Sequence, residues 1–219
     1  MNRARVAIGA RAAAVLILIA AVAPVARSAP APAGLRVALM GIGVEVHPGY
    51  VRVSEVLNLE NTTREAFVGD VAFGVPLAAR YITFHEGLVR PRVDGEWIID
   101  RLTVPPGAHR VSIAYSVAGS GDLDLGRPVS MPIDRLLVLA AGPVRIHSSQ
   151  LDALPTVVDS GRSVARAAGR AIAPGTLALR VDGVPAARRW PAPAAAALLG
   201  VILAAGLVWA AARAASRPV

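Results

Sequence analysis

Histidine is the side chain in this sequence best suited to acid–base chemistry or metal binding, and it occurs on four separate segments. No two histidines lie within the spacing of about three to five residues that is typical of paired metal ligands on one element. The four are His47, His85, His109 and His147. We therefore predict no metal site, no catalytic residue and no cofactor. The alternative is a small ligand-binding or metal-dependent hydrolytic β-domain, in which folding gathers the scattered His, Asp and Glu residues.

Glu55 is a carboxylate in an apolar pattern. Apolar and polar residues alternate through residues 51–59, and Glu55 has the same parity as Val53 and Leu57. A carboxylate on an apolar strand face is costly unless it is paired. We predict a structural ion pair with an arginine rather than a catalytic role.

Three arginines recur every four residues near the end of the domain: Arg162, Arg166 and Arg170. On a helix this spacing would place them on one face. Residues 157–172 lack the strand pattern of the rest of the domain, and we interpret them as a solvated loop or short helix. Contact of the three arginines with anionic lipid or an acidic partner is the functional hypothesis.

The elements that position these residues are strands, because the apolar pattern from Leu35 onward has a period of two. The cleanest example places Val111, Ile113 and Tyr115 on one face, and Asp94-Gly95 is a strong hairpin signal. Turn residues recur every ten residues or so, which predicts about nine or ten strands in an all-β sandwich over residues 35–185. The uninterrupted apolar run at residues 136–140 predicts a central strand buried on both faces.

One stretch resembles a known family. Residues 53–63 (VSEVLNLENTT) are followed by a second strand that ends in the corner Val75-Pro76-Leu77, and then by residues 81–84 (YITF). This pattern is similar to the opening of the VIT domain, the β-sandwich of vault and inter-alpha-trypsin proteins. The resemblance covers residues 53–84 and implies a sandwich fold, but no ligand. The metal-binding von Willebrand-type domain that usually follows a VIT domain has no counterpart in this sequence.

The charge distribution argues against nucleic-acid binding. The formal net charge is +8, yet residues 30–190 hold 17 Arg and all 15 acidic residues, a net charge of only +2. The other six arginines flank the two hydrophobic ends, as membrane insertion requires. The chain contains no Cys, which excludes disulfides, thiol nucleophiles and Cys-ligated zinc.

Both ends of the chain predict export and membrane anchoring. Residues 1–28 have the basic start and short apolar run of a signal peptide, and residues 29–34 form an Ala/Pro linker. Residues 192–212 carry no charge and are long enough for one transmembrane helix. Residues 186–191 form a juxtamembrane linker, and residues 213–219 form a cytoplasmic tail. Gly200 and Ala204 lie on one face of the predicted helix, where small residues favour helix packing and homo-oligomer formation.

These features together predict a single-pass protein of a bacterial cell membrane, with its β-domain outside the cytoplasm. We expect a non-enzymatic interaction or accessory module of an envelope complex, with the membrane and another envelope protein as its partners.

Overall fold

The computed structural model describes residues 32–187, and every regular element in that range is a β-strand. The all-β prediction is confirmed. The strands are β1 (Leu35–His47), β2 (Tyr50–Asn61), β3 (Phe67–Gly74), β4 (Ala79–Glu86), β5 (Arg92–Asp94), β6 (Trp97–Val104), β7 (Gly107–Ala118), β8 (Gly121–Asp124), β9 (Arg127–Val129), β10 (Ile133–Ala141), β11 (Arg145–His147), β12 (Asp152–Asp159), β13 (Arg162–Ile172), β14 (Gly175–Leu177) and β15 (Arg180–Val184).

The largest sheet has seven strands in the order β12-β13-β10-β1-β2-β7-β4. Its strands pair antiparallel except β1 with β10, which run parallel. An antiparallel pair without a register shift joins β2 and β7 along their whole lengths, from Tyr50 opposite Ala118 to Asn61 opposite Gly107. Both strands alternate apolar and polar residues, so this pairing buries two apolar faces together on one side of the sheet.

Three small sheets contribute to the same apolar core as the inner face of the large sheet. Their strand orders are β3-β6-β5, β11-β15-β8 and β14-β9. The core combines Val53 and Ile113 of the large sheet with Ile98, Leu177 and Val181 of the smaller ones, all buried. The arrangement is sandwich-like, and the other face of the large sheet has no sheet packed on it among residues 32–187.

Two predictions about individual strands are wrong. Residues 157–172 are neither a loop nor a helix, because they belong to β12 and β13, which a turn at Ser160 and Gly161 joins. Apart from Ile172 at its end, the inward residues of β13 are Ala165, Ala167 and Gly169, which are too small to produce a visible hydrophobic alternation.

The run at residues 136–140 is buried on one face only. Leu136 and Val138 are buried, whereas Leu139 on the other face is exposed. Residues 32–187 also contain 15 strands rather than nine or ten. Several have only three residues, too few to show a period of two.

The predicted membrane segments lie outside the described residues. This applies to the signal peptide, to residues 29–31 of the 29–34 linker, to residues 188–191 of the juxtamembrane linker, to the anchor at 192–212 with Gly200 and Ala204, and to the tail at 213–219. Within residues 32–187, the structure shows no helix that could cross a membrane.

Candidate functional site

A buried polar cluster occupies the middle of the core, and its first two members come from neighbouring strands. Glu55 on β2 lies opposite Ile113 of β7, and Tyr115 lies two residues further along β7. Both side chains point inward, and the Tyr115 hydroxyl donates a hydrogen bond to Glu55 Oε1 at 2.5 Å. The alternation of both strands therefore places a carboxylate and a phenol side by side among apolar residues.

The third member, Arg127, comes from β9 in one of the small sheets. Its Nη1 forms an ion pair with Glu55 Oε1, and both side chains are only 1% exposed. Its Nε donates to the Leu125 carbonyl at 3.2 Å, and its Cζ lies 6.0 Å from the centroid of the Tyr115 ring. Nη2 has no hydrogen-bond partner among residues 32–187.

Burial shifts the pKa of two members of this cluster. It lowers the pKa of Arg127 from its ordinary value to about 9, so the guanidinium remains charged at neutral pH. It raises the pKa of Tyr115 well above its ordinary value of 10.0, so the phenol remains a hydrogen-bond donor to Glu55. Because solvent does not reach the ion pair, the cluster acts as a structural link between the two layers. The ion pair predicted for Glu55 is present.

The histidines do not contact one another, and each contacts its own neighbours. His47 stacks on Tyr50 at a centroid distance of 4.7 Å, and His85 lies 3.3 Å from the Thr83 hydroxyl. His109 donates to the Gly87 carbonyl at 3.0 Å. No group of three or more His, Asp or Glu residues in the described range is placed to hold a metal ion.

His147 contacts a carboxylate and also lines a cleft. Its Nε2 lies 2.6 Å from Asp182 Oδ2, a carboxylate that orients the ring. It lines a cleft of about 640 Å³ together with Asp124, Ser148 and Arg180. Such a cleft can hold a small polar ligand, but no serine or threonine hydroxyl of the described residues is hydrogen-bonded to His147, as an activated nucleophile requires.

The arginine stripe lies on a strand, and its members still share one face. Arg162, Arg166 and Arg170 alternate with the buried residues of β13, so they point to the outer side of the seven-stranded sheet. None of them forms an ion pair with a carboxylate among residues 32–187. The predicted contact with lipid or an acidic partner stays a prediction.

Tyr81 on β4 is a feature that the sequence analysis missed. It is 87% exposed and has a φ of +54°, a left-handed conformation that is unfavourable for a tyrosine. It sits where the register between β4 and β7 shifts, between Arg80 and Thr83. Nothing in the local sequence signals this conformation, since residues 81–84 look like an ordinary strand.

Arg127 was also missed, although the sequence contained a signal. Leu123, Leu125, Val129 and Met131 alternate at odd positions, and Arg127 is the odd position between them. The same parity that predicts the burial of Glu55 thus predicts the burial of Arg127.

Comparisons with known proteins identify remote structural likenesses only. No protein-family model matches the sequence, and no curated protein matches it. An M1 zinc metallopeptidase from Deinococcus radiodurans aligns with a TM-score of 0.44 and 13% identity, over 68% of this chain and 42% of the peptidase. A "putative nutrient binding protein" from Legionella pneumophila aligns with a TM-score of 0.45 and 11% identity, over 70% of this chain and 68% of that protein. This chain therefore spans less than half of the peptidase.

Proposed function

We propose that this chain is a membrane-anchored, extracytoplasmic interaction or accessory module of an envelope complex, with a β-sandwich as its binding domain and no enzymatic activity. The observation that carries the proposal is the exposed edge strand β4 with its strained tyrosine. The signal peptide (residues 1–28) and the anchor (residues 192–212) are sequence predictions that supply the location. The VIT-type resemblance of residues 53–84 likewise stays a prediction.

The β4 edge combines exposed apolar area with backbone strain. Tyr81 is 87% exposed, Leu77 just before the strand is 69% exposed, and Phe84 is 38% exposed. A non-glycine residue held in the left-handed region costs on the order of 1–3 kcal/mol, and such residues concentrate at functional sites. An exposed aromatic ring adds no core packing that would offset this cost. Burial of the ring against a partner would offset it, because a tyrosine contributes a large contact area at an interface.

The backbone of β4 favours a protein as the occupant. β4 pairs with β7 on one side, and no strand of the described residues pairs with its other side. An open edge presents unpaired N–H and C=O groups, which an extended segment of another protein can satisfy by strand addition. The exposed apolar side chains along this edge would then determine which partner binds. We therefore expect another envelope protein to bind along this edge.

The position of the last described residues, near Pro185, is consistent with a domain held close to the predicted anchor. The amide of Gly49, in the turn between β1 and β2, donates to the Pro185 carbonyl at 2.8 Å. This bond holds the last described residues against one end of the large sheet. Only residues 188–191 separate them from the start of the predicted anchor, a reach of roughly 14 Å when extended.

The test is site-specific photocrosslinking in cells. A photoreactive residue at position 81 should capture a discrete protein, whereas one at Val158 should not. Val158 is the matched control because it is also exposed, at the opposite edge of the same sheet. The captured protein, once purified, should bind the wild-type chain and bind Tyr81→Ala at least several-fold more weakly. Equal capture from both positions, or undiminished binding by the variant, contradicts the proposal.

The His147 cleft supports the second candidate, a small-ligand or metal-dependent hydrolytic domain. The supporting observation is the carboxylate-oriented His147 at the cleft wall. A metal-binding screen on the wild type and on His147→Ala tests it, with His85→Ala as the control on another strand. Metal binding or hydrolysis lost only in the His147 variant would favour this second candidate.

A further inference from the structure

Three adjacent strands of the large sheet, β1, β10 and β13, are irregular at matching positions. In each strand, inward residues alternate with outward ones until a step at which two consecutive residues both point outward. Past this step, the inward residues change from odd to even positions, or the reverse. The flanking inward residues are partners across the sheet: Val37, Ile133 and Ile172 before the step, and Met40, Leu136 and Gly169 after it. The left-handed φ of +52° at Ala171 lies within this step. Irregular residues at matching positions in adjacent strands bend a sheet locally.

Beside these irregular positions, on the outer face of the sheet, lies a crease of about 670 Å³. Its floor is apolar and includes Leu39 of β1, Leu137 of β10, Ala168 of β13 and Leu154 of β12. The crease therefore crosses four adjacent strands, a length of roughly 14 Å at the usual strand spacing. Its long axis runs across the strands rather than along them.

Two arginines face each other at the crease. Arg135 of β10 and Arg170 of β13 are direct partners in the antiparallel register, and both line the crease. Like charges at directly opposite positions are destabilising. The nearby carboxylates Glu60 and Asp134 are engaged by Arg36, at 2.8 and 3.0 Å. Neither Arg135 nor Arg170 forms an ion pair within residues 32–187. Asp152 also lines the crease, but its carboxylate forms no ion pair with either arginine.

We propose that the crease binds the carboxylate and acyl chain of a single-chain fatty acid. Arg135 and Arg170 hold the carboxylate, because two guanidinium groups offer paired donors that match its two oxygens and its charge removes their repulsion. The acyl chain lies over Leu137, Ala168 and Leu154, toward the β12 side of the crease. This site is separate from the β4 edge, which lies at the far side of the same sheet, so it adds a ligand to the proposed interaction role.

The geometry favours an acyl chain over a peptide. In the interior of the sheet, the backbone groups of β10 and β13 already bond to neighbouring strands. A peptide lying across them would leave its own N–H and C=O groups without backbone partners on the protein side. An acyl chain carries no such groups, so it gains from the apolar floor without that penalty.

Photolabelling tests the site in the full-length chain held in zwitterionic phosphatidylcholine nanodiscs. The probe is a medium-chain fatty acid that bears a diazirine, and its methyl ester is the uncharged control. Labelled peptides should contain residues 135–139 or 166–170. The double variant Arg135→Gln with Arg170→Gln should lower this labelling roughly tenfold or more, as expected for the loss of charged hydrogen bonds. The Arg52→Gln control, an exposed arginine on the outer face of β2, should label like the wild type.

A melting experiment keeps the result interpretable. The free fatty acid should raise the Tm of the wild type and leave that of the double variant unchanged, while the double variant alone should melt no lower than the wild type. Equal labelling by the ester, or undiminished labelling of the double variant, overturns the proposal in favour of apolar adsorption. Labelling of the crease by a diazirine phospholipid in the disc, without labelling by the fatty acid, overturns it in favour of bilayer contact.

Discussion

Arg127 of β9 reaches across the core to pair with Glu55 of β2, so one buried ion pair joins a small sheet to the large sheet. Both side chains are almost completely buried, and Tyr115 completes the cluster with its hydrogen bond to the carboxylate. Removing two charges from water is costly, and their attraction and the added hydrogen bonds offset that cost. The pair is therefore more informative about which strands meet than about how stable the protein is.

Removing one partner of this pair should be far worse than removing both. Glu55→Leu leaves a charged, buried Arg127, and we expect a loss of about 3–5 kcal/mol in the free energy of unfolding. Glu55→Leu combined with Arg127→Met should recover a large part of that loss, because no unpaired charge remains. Urea unfolding of the single and double variants measures this coupling. Strictly additive losses would contradict a direct pair.

Tyr115 should titrate late and make the protein sensitive to alkali. Its pKa in the folded chain lies well above 10.0, so above about pH 10 an unfolded chain releases this proton while the folded chain keeps it. Since the folded state then binds more protons, the free energy of unfolding falls as pH rises through this range. Arg127, with its lowered pKa, contributes the opposite slope above about pH 9.

The comparison with Tyr115→Phe separates the tyrosine from Arg127. The wild type should lose stability relative to this variant as pH rises above about 10, by up to about 1.4 kcal/mol per pH unit. Ultraviolet titration should show one late phenol that the variant lacks. A wild type and a variant with parallel stability profiles in alkali would show that Tyr115 is not held protonated by burial.

The facing of β7 can be tested with two adjacent residues. Ile113 is completely buried in the core, and Ile113→Ala should cost about 2–5 kcal/mol through lost packing and the cavity it leaves. Ser112 lies on the opposite face, and Ser112→Ala should cost less than about 0.5 kcal/mol. Thermal or urea unfolding measures both changes. Similar losses for the two would show that the strand faces the other way.

The strain at Tyr81 predicts a difference between two small replacements. Glycine adopts a φ of +54° without a steric penalty, whereas alanine keeps that penalty. Tyr81→Gly should therefore be more stable to unfolding than Tyr81→Ala, by up to about 1 kcal/mol, although both remove the same exposed ring. Val158→Gly and Val158→Ala provide the reverse control, because Val158 is exposed without a positive φ and alanine should be the more stable there.

The predicted topology is open to direct test in cells. Protease added to spheroplasts should digest residues 35–181 if the predicted signal peptide directs the domain outward. Survival of this region until the membrane is broken would rule out the extracytoplasmic location.

The predicted anchor helix has a separate test in the same cells. Gly200→Ile should weaken self-association if Gly200 and Ala204 form a packing face, while Leu203→Ile should not.

Local alternation was enough to predict much of the fold. In β2 and β7, side chains of fixed parity face the core, so Val53, Ile113 and Tyr115 could be assigned to the interior from the sequence alone. Glu55 could be expected to need a partner for the same reason. β13 escaped prediction because its inward residues before Ile172 are alanine and glycine, which carry almost no hydrophobic signal.

The tertiary structure alone decided which distant residues meet. Arg127 is the partner of Glu55 because β9 packs over β2, and Arg135 faces Arg170 because β10 pairs with β13 in one particular register. A period of two specifies which face a side chain takes, but not which strand lies beside it or at what offset. The crease depends on irregular steps that coincide in three strands from distant parts of the chain. Strand facing is therefore a local property of this sequence, whereas the buried ion pair and the arginine-lined crease arise from long-range register.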